Sequence, residues 1–113
     1  MTATDYDHLR GARVVDREGQ TIGDVEQLYT DRIDDTLLAV SVRTGLFGAR
    51  HVLVPVINAS VGWQRIDVPY LRRHVNAAPI ARESQRESRS AHPHLSPVTE
   101  AEIAAHYELT TLR

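Results

Sequence analysis

Cysteine is absent from the 113-residue chain, which excludes disulfides, thiolate metal sites and thiol nucleophiles. Lysine is absent as well, since all 13 basic residues are arginine, so neither a Schiff base nor the lysine of a phosphate-binding loop is available. No apolar run approaches the roughly 18 residues of a membrane-spanning helix, and the first residues lack the basic and apolar regions of a signal peptide. These absences predict a cytoplasmic protein without a membrane span.

The composition is that of one soluble globular domain, with 42% hydrophobic and 25% charged residues. The net charge of −2 argues against a dedicated nucleic-acid-binding protein, which usually carries a large positive excess. The acidic residues are concentrated near the start, where residues 1–35 hold nine of them against four arginines. We therefore expect the main partner to be something other than nucleic acid.

Short apolar stretches separated by polar turns predict β-strands in the first two thirds of the chain. Apolar residues alternate with others at 38–42 and again at 52–56, which is typical of half-buried strands. Gly23 breaks the alternation within residues 20–31 and so indicates a β-bulge or bend. A last strand is predicted over residues 63–68. Strands of this length and spacing favour a small antiparallel β-barrel, in which closure removes exposed edges.

Composition divides the chain into three segments. Residues 1–79 form the predicted barrel domain, and a short helix within residues 69–75 is expected to cover one end of it. Residues 80–94 are rich in arginine and serine and bury little apolar surface, so they are predicted to be a flexible linker. Residues 95–113 contain a predicted helix with Ser96 as its N-cap. Its apolar stripe is narrow, so this helix has to dock on a barrel, either its own or that of a second copy.

Exposed apolar side chains predict a protein interface. Leu46 and Phe47 lie between two glycines in a predicted hairpin loop, where apolar residues cost solvation unless they are covered. Either Phe47 folds back as a plug over the barrel end or it inserts into another subunit, and the sequence leaves both interpretations open. Trp63 is the only tryptophan, a residue type enriched at interfaces, and its predicted position is on the outer face of the last strand. The C-terminal helix contributes three further candidates. The predicted interface residues are therefore Leu46, Phe47, Trp63, Ile103, His106 and Tyr107.

No pattern in the sequence supports catalysis. The serines lack the turn motif of an activated nucleophile, and Asp34 and Asp35 lie in a predicted turn, where solvated acidic residues are common. His92 and His94 lie two positions apart in the predicted linker with no third ligand nearby, which is poor geometry for a metal site. We therefore predict no enzyme activity, no cofactor and no metal site.

The basic linker supplies the alternative hypothesis. Arg82, Arg86 and Arg89 are spaced so that they can contact RNA or an anionic lipid. Glu83 and Glu87 offset part of their charge, and no aromatic residue is interleaved with them to stack on bases. A soluble tether is therefore the preferred interpretation of this segment.

Several motifs, taken in order, resemble the PRC-barrel domain family, and the resemblance extends over nearly the whole chain. The motifs are Leu9-Arg10-Gly11, Ile22-Gly23, residues 42–48, Val54-Pro55, residues 67–70, Ala78-Pro79, residues 95–97 and His106-Tyr107. The last two are similar to the closing segment of stand-alone bacterial PRC-barrel proteins, some of which are joined to a stress-response-associated domain. One departure is Glu108, which stands where the family tail usually has glycine.

The resemblance implies a six-stranded β-barrel that serves as an assembly or adaptor module, with no catalytic residues common to the family. In relatives, the H subunit of the photosynthetic reaction centre and the ribosome maturation factor, this domain contacts protein partners. We therefore predict a non-catalytic adaptor that forms a homodimer and binds a further protein, with a stress-related role implied by its relatives. The alternative is an RNA- or ribosome-associated maturation factor that uses the basic linker.

Overall fold

The structure, a computed structural model, describes residues 3–81 and 92–113. Its strands are β1 (Arg13–Val15), β2 (Thr21–Thr30), β3 (Leu37–Thr44), β4 (Arg50–Pro55), β5 (Ser60–Val61) and β6 (Arg65–Asp67). Its helices are an N-terminal 3₁₀ helix (Ala3–Leu9), α1 (Arg72–Asn76) and α2 (Pro97–His106). The predicted mainly β architecture with a short helix after the last strand and a helix near the C-terminus is confirmed.

The six strands form one mixed sheet in the order β4-β3-β2-β1-β6-β5. This corrects the predicted closed antiparallel barrel in two respects. Strands β1 and β6 run parallel, with Val14 opposite Ile66, and the two end strands, β4 and β5, do not pair with each other. The outer edge of β4 is instead occupied by residues 79–81, since the Leu53 N–H donates to the Pro79 carbonyl (2.9 Å) and the Ala81 N–H to the His51 carbonyl (2.8 Å).

The irregularity predicted at Gly23 is present. Val14 is opposite Gly23, but the next residue, Val15, is opposite Thr21, so the register shifts at this point. A Cβ atom on Gly23 would lie 1.9 Å from the carbonyl oxygen of Arg43 on β3. Glycine is therefore required here because the backbone of β3 passes too close for any side chain.

The hydrophobic core joins the sheet to both helices. It contains residues from every strand except β5, together with Val75 of α1 and Ile103 of α2, both fully buried. Tyr107, at the end of α2, is also buried, and its hydroxyl donates a 2.8 Å hydrogen bond to the backbone carbonyl of Leu53 on β4. In the structure the C-terminal helix thus docks on the sheet of its own chain.

The segment predicted as a linker, residues 80–94, has both of its ends packed on the sheet. Ala81 is buried beside β4. His92 is buried, and the Thr30 N–H donates to the Pro93 carbonyl at 3.1 Å. Residues 82–91 lie outside the described part of the chain, so the flexible linker stays a prediction there.

Helix α2 begins and ends with recognisable capping interactions. The Ser96 hydroxyl accepts from the Thr99 N–H at 3.2 Å, which confirms the predicted N-cap. At the other end, the Leu109 N–H donates to Ala104 (2.8 Å) and the Glu108 N–H to Ala105 (3.3 Å), the two bonds of a Schellman motif. Glu108 has φ 56°, so it adopts the left-handed conformation of the glycine that it replaces.

Candidate protein-binding surface

An open groove of about 550 Å³ lies at one end of the sheet. Four separate parts of the chain line it with mostly apolar side chains: the N-terminal 3₁₀ helix, the start of β3, the residue after β4 and the β5–β6 hairpin. Its apolar lining includes Leu9, Leu37, Val56, Val61 and Trp63. An apolar groove open to solvent is a typical site for a ligand or for a side chain of another protein.

Trp63 lies at the lip of this groove, in the three-residue turn (residues 62–64) between β5 and β6 rather than on the predicted strand. The turn is closed by the Gly62 N–H, which donates to the Arg65 carbonyl at 2.8 Å. The indole is 73% exposed, and the imidazole of His8 stacks on it with ring centroids 4.5 Å apart and planes 8° from parallel. A large aromatic side chain therefore packs on a neighbouring ring while most of its surface faces solvent.

The strand next to Trp63 has a free edge. Strand β5 pairs with β6 and with no other described strand. Val61 is opposite Ile66. The next pair along the two strands, Gly62 and Arg65, is hydrogen-bonded. Because the two kinds of pair alternate in an antiparallel ladder, the N–H and C=O groups of Val61 point away from β6. The groove thus combines apolar side chains with an unpaired backbone edge.

A second exposed aromatic lies in the loop between β3 and β4. The Phe47 side chain is 95% exposed. It therefore does not fold back over the end of the sheet, which was one of the two interpretations that the sequence left open. Its φ of 59° places it in the left-handed region, which costs a non-glycine residue about 1–2 kcal/mol. The side chain of the adjacent Leu46 lies outside the described part of the structure.

Comparison with protein-family models matches residues 1–75 to the PRC-barrel domain. The chain belongs to this family. A PRC-barrel domain is a small domain that is generally non-catalytic and often mediates protein interactions, in agreement with the groove described above. A search of the curated proteins finds no match to the chain. Among the described residues of this PRC-barrel protein, no helix is both long enough and apolar enough to cross a membrane.

The C-terminal interface candidates lie beyond the matched PRC-barrel region and pack against it. Ile103 and Tyr107 are buried within the chain. The His106 ring stacks on that of His74 in α1, with centroids 4.2 Å apart, and each Nε2 donates to the backbone carbonyl of the other residue, at 2.7 and 2.8 Å. These side chains join α1 to α2 within one molecule. An intermolecular role for them stays a prediction, while Phe47 and Trp63 are the interface candidates that are largely exposed.

The two histidines near the end of the predicted linker, His92 and His94, each contact another residue of the same chain instead of facing each other as a pair of metal ligands. His92 donates from Nε2 to the Asp7 carboxylate at 2.9 Å, and this hydrogen bond is the main reason why the pKa of Asp7 lies below its ordinary value. The His94 ring contacts the Thr30 carbonyl through Nδ1 at 2.8 Å. Within residues 3–81 and 92–113 there is no group of three histidine or acidic side chains placed to hold a metal ion.

Sequence reasoning missed the residues that complete the groove. His8 and Val61 had no distinguishing pattern, because the 3₁₀ helix and the two-residue strand β5 are too short to show a period. Arg82, Arg86 and Arg89, the residues of the RNA-binding alternative, lie outside the described part of the chain, so that alternative stays a prediction.

Proposed function

We propose that this PRC-barrel protein is a non-catalytic assembly module that binds another protein through the groove beside Trp63. The observation that carries the proposal is the exposed indole of Trp63, stacked on His8 at the lip of an apolar groove. Exposed tryptophan at a concave apolar site is the residue type that most often contributes binding energy at protein interfaces. The free edge of β5 adds backbone donors and acceptors that an extended partner segment can pair with.

We also propose which kind of protein binds in the groove. A second copy of the chain is the first candidate, in line with the homodimer predicted from the sequence. A further protein in the same compartment is the second candidate. The cytoplasmic location and the stress-related role rest on the sequence and on the resemblance to relatives, and both stay predictions.

The proposal is tested by blocking the groove without disturbing the core. Val61→Arg places a charged side chain in the groove at a residue that is 46% exposed, whereas Val98→Arg makes the same change at a 61% exposed valine on α2, away from the groove. Each tagged protein is used to capture partners from cells that express it naturally. We expect wild type and Val98→Arg to retain the same proteins and Val61→Arg to lose them. Equal retention by all three proteins, with unchanged folding, would rule out the groove as the binding site.

A further inference from the structure

The exposed Phe47 and the groove beside Trp63 lie at opposite ends of the β3–β4 hairpin. Leu37, the first residue of β3, and Val56, which follows β4, line the groove. Phe47 lies in the loop that joins the other ends of the same two strands. Strand β3 has eight residues, so at the usual rise per residue these two features are roughly 25 Å apart. Within one molecule Phe47 cannot reach the groove.

We infer that Phe47 of one copy docks in the groove beside Trp63 of a second copy. This inference rests on the proposed function, because it names the occupant of the same groove. The protruding residue and the groove that receives it are different parts of the surface. Two copies can make this contact reciprocally about a two-fold axis, with each Phe47 in the groove of the other copy, which gives a closed homodimer as predicted from the sequence. If only one of the two contacts forms in each pair, the contact instead continues head to tail into chains or rings.

The chemistry of the two surfaces is complementary. The groove presents aromatic and aliphatic walls to an incoming phenyl ring, and its volume of about 550 Å³ is large enough to admit one. The left-handed backbone of Phe47 holds its side chain out into solvent, where the free molecule gains no burial from it. Strained backbone conformations cluster at ligand-binding and switch sites.

Charges of opposite sign also lie next to the two features. Arg50, at the start of β4, follows the Phe47 loop and has no acidic partner among the described residues, whereas Arg43, near the end of β3, is directly opposite Asp24 of β2. Arg50 donates instead to the backbone carbonyl of Asn76 at 2.9 Å. At the other end, Asp34 and Asp35 directly precede Thr36, which lines the groove. Opposite charges around an apolar contact favour the docking of the basic loop on the acidic rim over the pairing of like ends.

The test is sedimentation velocity on the full-length chain over concentrations from about 1 µM to about 1 mM, the range of weak self-association. We expect the wild-type protein to self-associate as the concentration rises, into a dimer where the contact is reciprocal and into larger species where it continues head to tail. Phe47→Ala keeps the groove but removes the protruding ring, and Val61→Arg keeps the ring but blocks the groove. Each variant alone is expected to stay monomeric. Circular dichroism and urea unfolding confirm that both variants fold.

The decisive sample is an equimolar mixture of the two variants. Because the mixture contains one intact Phe47 and one intact groove for each pair of chains, we expect it to form a dimer and nothing larger. A contact of Phe47 with Phe47, or of groove with groove, would form in one of the variants alone and so does not give this result. A wild-type protein that is monomeric throughout, or a mixture that stays monomeric, overturns the inference.

The same variants separate failure of the inference from failure of the proposed function. If the wild-type protein stays monomeric while the Val61→Arg variant still loses captured proteins that Val98→Arg retains, the inference is wrong and the groove binds a different protein. If sedimentation shows no association and capture shows no difference either, both are wrong.

Discussion

At the scale of single residues, three non-glycine residues in the described part of the chain adopt left-handed backbone conformations: Asp35, Phe47 and Glu108. Glu108 ends helix α2, where its conformation allows the two Schellman hydrogen bonds to form. Phe47 has no such local role, and its side chain is exposed. Two residues with the same backbone strain therefore have different explanations, one in helix capping and one in the proposed docking contact.

Replacing Glu108 by glycine is expected to stabilise the protein. Glycine adopts the left-handed conformation without the steric cost, and part of that gain is offset by its greater entropy in the unfolded chain, which leaves about 0.5–1 kcal/mol. Urea unfolding measures the change. As a control, Glu102→Gly in the middle of α2 is expected to lose about 1 kcal/mol. An equal loss in both variants would show that the conformation of Glu108 carries no strain.

Gly23→Ala is expected to destabilise the sheet. The new Cβ would meet the Arg43 carbonyl at 1.9 Å, so β2 and β3 have to move apart, and we expect a loss of about 1–3 kcal/mol or more. Gly62→Ala is the matched control, because a Cβ there meets its nearest atom at an ordinary 3.5 Å. Thermal unfolding of the two variants gives the comparison. Similar midpoints for both would contradict the close approach of β3 at Gly23.

At the scale of secondary structure, prediction succeeded where the signal was local. The alternation of valines marked β3 and β4, and Ser96 followed by Pro97 marked the start of α2. The parallel pairing of β1 with β6 was missed, because Val14 and Ile66 lie far apart in sequence and periodicity carries no information about long-range pairing. The predicted position of Trp63 on a strand was wrong for a related reason, since a three-residue turn has no period.

Helix α2 is anchored to β4 by the hydroxyl of Tyr107, which donates to the Leu53 carbonyl at 2.8 Å. Burial raises the pKa of this phenol, so it stays a neutral donor. Tyr107→Phe leaves the buried carbonyl without this partner and is expected to lose about 1 kcal/mol. Tyr70→Phe is the matched control, because the buried hydroxyl of Tyr70 has no hydrogen-bond partner among the described residues. Urea unfolding should show little or no loss for Tyr70→Phe, and an equal loss in both variants would contradict the anchoring role.

Asp16 connects the β1–β2 turn to α1. Its carboxylate accepts from the N–H groups of Glu18 (2.9 Å), Gln20 (2.7 Å) and Arg72 (3.0 Å). Desolvation acts to raise its pKa, but these hydrogen bonds outweigh that effect and hold the pKa below its ordinary value of 3.8. Since the folded state favours the ionised form, this contribution to stability is complete above the unfolded-state pKa and is lost as the pH falls below about 4.

Asp16→Asn should therefore reduce the dependence of stability on pH. Between about pH 5 and pH 3, we expect the free energy of unfolding to fall less steeply in this variant than in the wild-type protein, because one ionisable group with a lowered pKa has been removed. Asp24→Asn, at an exposed position of β2, serves as the control. An Asp16→Asn curve parallel to that of the wild type would contradict the role of the carboxylate.

At the scale of the whole molecule, the groove exists because the sheet does not close. Residues 79–81 pair with the outer edge of β4, which leaves β5 with a free edge. The groove is formed where four distant parts of the chain meet. Sequence reasoning predicted Phe47 and Trp63 as interface residues from their chemistry. It could not place Trp63 beside the end of the β3–β4 hairpin that lies opposite the Phe47 loop, because that arrangement depends on the tertiary structure.

The occupancy of the groove is measured most directly by quenching the fluorescence of Trp63 with acrylamide as the protein concentration rises. Trp63 is the only tryptophan and lies at the lip of the groove, so its emission reports on that site alone. We predict that quenching decreases with concentration in the wild-type protein and stays constant in Phe47→Ala. Quenching of the wild-type protein that is equally efficient at every concentration would contradict the docking of Phe47 in the groove.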